Sequence, residues 1–130
     1  MKNSIEIFTL LCLGQIAFDN VQFPCPNICG ELLIIVHHIL AIYIVFGSVL
    51  FERHKLHLFV ICMTLFLNMI GHMCPITKWH NNICGHPPDT YLPTYLNHIF
   101  KGCAIPTLRK IYKCLLLFVI SYDVKHVIYR

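Results

Sequence analysis

A short polar stretch of this 130-residue chain contains five side chains of the kinds that bind metal ions. They are His72, Cys74, His80, Cys84 and His86. Zinc takes four such nitrogen and sulfur ligands in a tetrahedral arrangement. The spacing lacks the closely paired ligands that mark zinc fingers and zinc ribbons. Two interpretations therefore stay open, a zinc site or a loop whose cysteines form disulfides.

Two histidines are candidates for binding a cofactor within an apolar environment. His37 lies inside one long apolar run and His72 lies at the end of the next. Imidazole is a common ligand of haem iron. If the two runs fold back on each other as antiparallel helices, His37 and His72 have similar depths. The pair could hold a haem, although the long four-helix core that usually surrounds one is not evident.

Polar residues also recur along these two runs at helical spacing. They form a predicted polar stripe of His37, Ser48, His57, Thr64 and Asn68. Residues spaced by three, four and seven positions share one face of a helix. Polar groups in hydrocarbon normally face protein and form hydrogen bonds between helices. The stripe therefore indicates helix packing or, alternatively, an ion or proton path through His37 and Asn68.

The elements that must position these residues are two apolar segments. Leu32–Phe51 has 20 residues without a formal charge, enough at ~1.5 Å per residue for a hydrocarbon layer of ~30 Å. Leu56–Met73 follows after four polar residues, 52–55. The pattern predicts helices over Glu31–Phe51 and Leu56–Met73, packed as an antiparallel transmembrane hairpin.

The segments on either side of the hairpin are less regular. Ile7–Phe18 is apolar but short, and predicts a cleaved signal or an uncleaved anchor. Residues 19–30 are rich in proline and asparagine and predict a turn-rich connector that no helix crosses. We therefore divide the chain into an N-terminal segment with its connector, 1–30, and a single membrane domain, 31–130.

The second half of the membrane domain begins at a helix-breaking Cys-Pro pair. Short interfacial helices are predicted over Thr77–Ile83 and Pro93–Phe100. A last span is predicted within Leu108–Arg130, whose apolar centre is bounded by Lys113 and Asp123. Lysine side chains that reach toward the interface would help this segment to cross.

The eight cysteines fall into two groups. Cys12, Cys62 and Cys114 lie within apolar runs, as small buried hydrophobic residues do. The other five lie in segments that the hairpin places on one side of the membrane. These disulfide candidates are Cys25, Cys29, Cys74, Cys84 and Cys103. An oxidising compartment favours disulfides and a reducing one favours free thiols, and spacing alone leaves the connectivity open.

Composition excludes two broad classes of protein. Hydrophobic residues make up 57% of the chain and charged residues only 12%, against about 25% charged in soluble domains. A water-soluble fold would have too little polar surface. The basic residues flank apolar segments instead of gathering in one block, so a nucleic-acid partner is not expected. No serine stands in a nucleophile-elbow context, and we assign no catalytic residue.

Several spacings resemble those of a known family. His37 stands ten residues before Gly47, and His57 stands seventeen before the Cys74–Thr77 motif CPIT. Tyr95-Leu96 and a final helix entered after Leu108-Arg109 complete the pattern. This pattern resembles the domain-of-unknown-function 2784 family of small multi-pass membrane proteins. The resemblance implies the family's helical topology over about residues 31–130 and implies no particular activity.

Two positions depart from the family pattern. The family carries glutamate where this chain has Asn68, which weakens an inference of ion translocation from the resemblance. It also carries glutamate where this chain has His80. Thr77 can still cap the start of a helix. His80 cannot accept the hydrogen bond from the backbone N–H of the capping residue that a glutamate carboxylate would accept.

Together these observations predict an all-α integral membrane protein with several spans. It would contain an antiparallel transmembrane hairpin, a C-terminal transmembrane helix and short interfacial helices. We expect a structural or interaction component that lies in the lipid bilayer and associates with a membrane protein or a second copy of itself. A redox or cofactor-binding protein, with haem or zinc, and an ion or proton pathway are the alternatives.

Overall fold

The computed structural model describes residues 2–22, 24–71, 74–87 and 105–129. Within these ranges the chain folds into five helices, which confirms the all-α fold class. They are α1 (Lys2–Gln22), α2 (Ile28–Phe51), α3 (His54–Gly71), α4 (Pro75–Cys84) and α5 (Ile105–Ile128). The interfacial helix predicted over Thr77–Ile83 lies within α4, whereas the one predicted over Pro93–Phe100 lies outside the described residues.

Three of the described helices are long and apolar enough to cross a membrane. They are α1, α2 and α3, with spans of 20, 24 and 18 residues. Helix α1 extends beyond the apolar stretch Ile7–Phe18 at both ends, and this added length makes it a candidate span. Helix α5 has 24 residues but is not one of the three. Lys110, Lys113, Asp123 and Lys125 lie in its sequence, and its role as a span stays a prediction.

The connector before α2 is shorter than predicted, because helices enter the 19–30 segment from both sides. Helix α1 continues to Gln22 and α2 begins at Ile28. Buried Asp19 lies 2.8 Å from His38 Nε2 on α2, so a partner in another helix stabilises this polar end of α1. The side chain of Asn27 accepts a hydrogen bond from the Cys29 N–H at 2.8 Å and caps α2.

Helices α2 and α3 form an antiparallel hairpin with a turn of two residues, Glu52 and Arg53. Glu52 adopts a left-handed conformation, with φ of 53°, and its N–H donates to the Ser48 carbonyl at 3.2 Å. His54 and Lys55 join α3, so the turn is shorter than the predicted 52–55 segment. This tight turn places the first turn of α3 beside the last turn of α2.

An apolar core lies between the ends of the hairpin. Ile44 of α2, Ile61 of α3, and Leu116 and Val119 of α5 are buried together. The opposite faces of the helices carry large apolar side chains that are not covered. They include Leu10, Phe59, Phe66, Met69 and Phe118, each at least 57% exposed. The bundle therefore presents outward the kind of surface that a water-soluble protein buries.

At Gly47 the His57 ring of α3 lies close to the α2 backbone. A Cβ at this position would lie 2.7 Å from Tyr43 Cδ2 and 2.9 Å from His57 Cδ2. Both distances are too short for carbon atoms, so a side chain would force the His57 and Tyr43 rings to move. We predict that Gly47→Ala lowers the free energy of unfolding by about 1–3 kcal/mol, as overpacking typically does.

Thermal unfolding in detergent, followed by circular dichroism, measures this effect. Gly14 of α1 is the matched control because a Cβ there would meet nothing within 4 Å. Gly14→Ala should leave stability unchanged or raise it by up to about 1 kcal/mol, since alanine favours the helix. Equal losses of stability in both variants would contradict the proposed close contact.

Candidate functional site at the hairpin end

A buried carboxylate joins three helices at the turn end of the hairpin. Asp123 of α5 is fully buried and accepts a hydrogen bond from the hydroxyl of Ser48 on α2. Its Oδ1 lies 3.0 Å from His54 Nδ1, and its Oδ2 lies 2.6 Å from His57 Nδ1, both on α3. We call Ser48, His54, His57 and Asp123 the Asp123 network.

The hydrogen-bond partners of His57 define the charge of the network. His57 Nε2 lies 2.8 Å from the carbonyl oxygen of Tyr43. A carbonyl can only accept, so Nε2 carries a hydrogen. Nδ1 faces a carboxylate oxygen, so a second hydrogen lies between His57 and Asp123. Because the pair shares this proton, its net charge is zero, which makes its burial tolerable.

The geometry around His54 differs from that of a catalytic triad. Its Nδ1 faces both the Ser48 hydroxyl, at 2.8 Å, and Asp123. In a Ser-His-Asp triad the serine and the aspartate contact opposite nitrogens of the ring. Here the carboxylate favours the tautomer with hydrogen on Nδ1, which leaves the lone pair on Nε2. His54 is therefore an oriented imidazole without an activated serine.

A cavity of about 400 Å³ lies beside the Asp123 network. We call it the hairpin-end cavity. It is lined by Ser48, Val49, Glu52, His54, Tyr122, Lys125, His126 and Tyr129. The His54 and His126 rings are stacked, with centroids 4.6 Å apart and planes at 14°. The cavity thus offers an ammonium, two imidazoles, two phenols, a hydroxyl and the carboxylate of Glu52 to a ligand.

A second group of polar residues lies at the opposite end of the hairpin. His38 of α2 is buried, with Nδ1 3.1 Å from Gln15 Oε1 and Nε2 2.8 Å from Asp19 Oδ2. Both partners lie on α1. The pairing therefore fixes α1 against α2 as the Asp123 network fixes α5 against the hairpin.

Near this second group, α4 packs antiparallel to the first half of α2. Cys74, just before α4, has its Sγ 3.8 Å from His37 Nδ1. Cys84, the last residue of α4, forms a disulfide with Cys25 of the connector. Both sulfurs lie against Gly30, where a Cβ would be 2.3 Å from each of them. A glycine at position 30 therefore allows the disulfide to contact the α2 backbone.

The residues of the predicted polar stripe lie in different environments. His57 and Ser48 meet at Asp123, whereas His37 lies beside Cys74 at the other end. The Thr64 hydroxyl donates to the Val60 carbonyl of its own helix at 2.9 Å, and Asn68 is half-buried on α3. His72 lies outside the described residues, and so does the predicted haem pairing with His37.

The predicted metal ligands are also divided between two places. His80 and Cys84 lie together and are joined by Cys25, which the prediction did not include. Cys74 instead faces His37, and the His86 ring centroid is 5.5 Å from that of His80. Of the disulfide candidates, Cys25 and Cys84 are bonded to each other, Cys29 and Cys74 are free thiols, and Cys103 lies outside the described residues.

Among the described residues, sequence reasoning missed two buried aspartates, Asp19 and Asp123. The sequence pattern makes Asp123 a boundary of the last apolar segment and places Asp19 in the connector. The signal that could have found them is an ionisable residue within or beside an apolar run, since such residues normally have a partner. His38, next to His37 in sequence, is not a candidate in the sequence analysis because its partner Asp19 is not recognised there.

These features define a small helical bundle with three candidate membrane helices and a polar cluster at each end. Residues 27–127 match the model of the family described as Protein of Unknown function (DUF2784). The chain belongs to this family, which confirms the resemblance. No curated protein and no solved structure matches the chain. The matched range contains the whole Asp123 network, whereas Asp19 and Cys25 precede it.

Asp123→Asn tests how far the network supports the fold. The amide keeps the shape of the side chain but cannot accept all three hydrogen bonds or balance the proton on His57. We predict a loss of about 3–5 kcal/mol in the free energy of unfolding, as for other broken buried pairs. Denaturant unfolding in detergent measures it. The exposed Glu52 is the control, since Glu52→Gln should change stability by less than about 0.5 kcal/mol.

Proposed function

We propose that this protein is a multi-pass integral membrane protein with a binding role, and that it holds the anionic head group of an amphiphile in the hairpin-end cavity. The observation that carries the proposal is the lining of that cavity. Lys125, His54 and His126 gather there, where α2 ends and α3 begins. An acidic head group could accept hydrogen bonds from Lys125 and His126 while its apolar tail extends along the bundle.

The surface of the helices supports placement in a membrane. Helices α1, α2 and α3 have the length and composition of spans. Their outward faces carry large exposed apolar residues, such as Leu10, Phe66 and Met69. The Asp123 network lies at the turn end of the hairpin, where one edge of a hydrocarbon layer would fall. In this orientation the hairpin-end cavity lies at the depth of lipid head groups.

The charges at the turn end favour an anion. Arg53 and Lys55 are exposed near the cavity, and Lys125 lines it, against the single carboxylate of Glu52. Asp123 adds no net charge because it shares a proton with His57. The electrostatic potential at the turn end of the hairpin is therefore positive, and it attracts acidic groups at short range. Tyr122 and Tyr129 supply the aromatic surface that is common at the membrane interface.

The interior of the helical bundle is more consistent with a binding role than with a proton pathway. The polar clusters are centred on His38 and Ser48, ten residues apart on α2, or ~15 Å along a helix. Buried Ile42, Ile44 and Ile61 lie between them. A proton would have to pass this apolar layer. The Asp123 network also ends at the Tyr43 carbonyl, which accepts a hydrogen bond but does not pass a proton on.

The topology is tested with two native lysines. Lys55 lies at the turn end of the hairpin and Lys78 lies in α4, at the other end, and both are exposed. We predict that a membrane-impermeant amine reagent labels one of them in intact cells and the other in sealed inside-out vesicles. Peptide mass mapping identifies the labelled residue. Labelling of both lysines from the same face would contradict a hairpin that crosses the membrane.

Head-group binding is tested by stability measurements with lipids. We predict that a short-chain phospholipid with an anionic head group raises the thermal midpoint of the detergent-solubilised protein more than its zwitterionic counterpart does. Ligand at a hundred times its dissociation constant stabilises by about 2.7 kcal/mol. The double variant Lys125→Gln/His126→Gln should lose most of this difference, because it replaces an ammonium and an imidazole of the cavity with neutral amides.

Lys55→Gln is the matched control, since it removes a positive charge from the same end of the hairpin but not from the cavity lining. It should keep the response of the wild-type protein. If the control and the double variant lose the response equally, the binding is a general effect of surface charge. Equal responses of the wild-type protein to both lipids would also overturn the proposal.

A further inference from the structure

Three potential metal ligands converge where the connector meets the end of α4. The sulfur atoms of Cys25 and Cys84 and a ring nitrogen of His80 all lie within 4.8 Å of one another. His80 and Cys84 are four residues apart on α4, so they share one face of the helix. We call these three residues the cysteine site. Two thiolates and an imidazole are a typical part of a zinc coordination shell.

His80 has an unused ring nitrogen. The residue is fully buried, and its Nε2 has no hydrogen-bond partner among the described residues. Buried polar atoms are nearly always paired, so an orphan of this kind needs an explanation.

The backbone around the cysteine site leaves room for large atoms. Gly30 forms one wall, and a Cβ there would come within 2.3 Å of both sulfurs. After α4, Gly85 adopts a left-handed conformation with φ of 70°, and the His86 N–H donates to the Asn81 carbonyl at 2.9 Å. This turn brings the His86 ring to 5.5 Å from the His80 ring, within reach of a fourth coordination position.

We propose that Cys25, Cys84 and His80, with His86 as the fourth ligand, bind one zinc ion when the Cys25–Cys84 disulfide is reduced. The disulfide and the metal are mutually exclusive, because the same two sulfurs serve both. A dithiol reductant supplies two electrons and two protons to the disulfide and becomes a disulfide itself. Zinc then binds the two thiols and displaces their protons to solvent, so atoms and charge balance.

The first experiment uses Co²⁺ as a spectroscopic substitute for Zn²⁺. The full chain in detergent is reduced with a phosphine, which becomes phosphine oxide with oxygen from water, and the phosphine is removed without air. We expect one Co²⁺ per reduced chain, with the visible and charge-transfer bands of a tetrahedral thiolate site, and displacement by Zn²⁺. The oxidised protein should give no such bands. A reduced protein without them would overturn the proposal.

Two variants identify the ligands. His80→Ala should weaken Co²⁺ binding by more than the roughly 10–100-fold that loss of an outer-shell partner produces. Cys29→Ser is the matched control, since Cys29 is an exposed free thiol near Cys25 and lies outside the cysteine site. It should bind Co²⁺ as the wild-type protein does. Unchanged binding in His80→Ala, or equal loss in both variants, would contradict the assignment.

A second measurement needs no variant and so does not depend on the folding of one. In the reduced wild-type protein, Zn²⁺ should slow the alkylation of Cys25 and Cys84 by a maleimide, while Cys29 reacts at its original rate. Mass spectrometry of peptides reports each cysteine separately. If Zn²⁺ changes none of the three rates, or slows all three equally, the cysteine site does not bind the metal.

Discussion

The burial of Asp123 is the constraint on which the arrangement of the helices depends. A carboxylate in apolar surroundings is tolerated only where donors surround it, and here the donors come from α2 and α3. These hydrogen bonds fix both the rotation and the depth of α5. Val119 and Leu116 precede Asp123 by four and seven residues, so they lie on the same face of the helix. The rotation that pairs Asp123 therefore also packs these two residues against Ile44 and Ile61.

Helix α2 is central because it contacts all four other described helices. Its two buried glycines lie where a neighbouring group packs directly against its backbone. Gly47 makes room for the His57 ring and Gly30 for the two sulfurs of the disulfide. Its polar residues pair in the same regions, Ser48 with α5 and His38 with α1. The middle of α2 buries isoleucines instead. The result is an apolar segment of α2 with a specific polar contact on each side of it.

The sequence predicted the hairpin well because long apolar runs and a short charged turn leave few alternatives. It predicted the ends of helices less well. Asp19 and Asn20 resemble loop residues, yet α1 continues through them because Asp19 pairs with His38. The sites were harder still. Ser48 and Asp123 are 75 residues apart, and the two bonded cysteines are 59 apart. Local spacing could propose Cys84 and His80 as ligands, but only the packing of α4 on α2 brings Cys25 to them.

The disulfide and the proposed zinc site would serve the same structural purpose, since each joins the connector to the end of α4. In the entropic model, a disulfide that closes a loop of this length raises the free energy of the unfolded chain by about 4 kcal/mol. A metal bound by the same residues would keep that effect after reduction. Gly30 and Ser48 are 18 residues apart on α2, or ~27 Å along the helix. The Asp123 network shares no residue with the cysteine site. Replacement of the disulfide by the metal would therefore affect α4 and the connector and leave the hairpin-end cavity intact. One end of the protein could then respond to redox conditions while the geometry of the hairpin-end cavity stays the same.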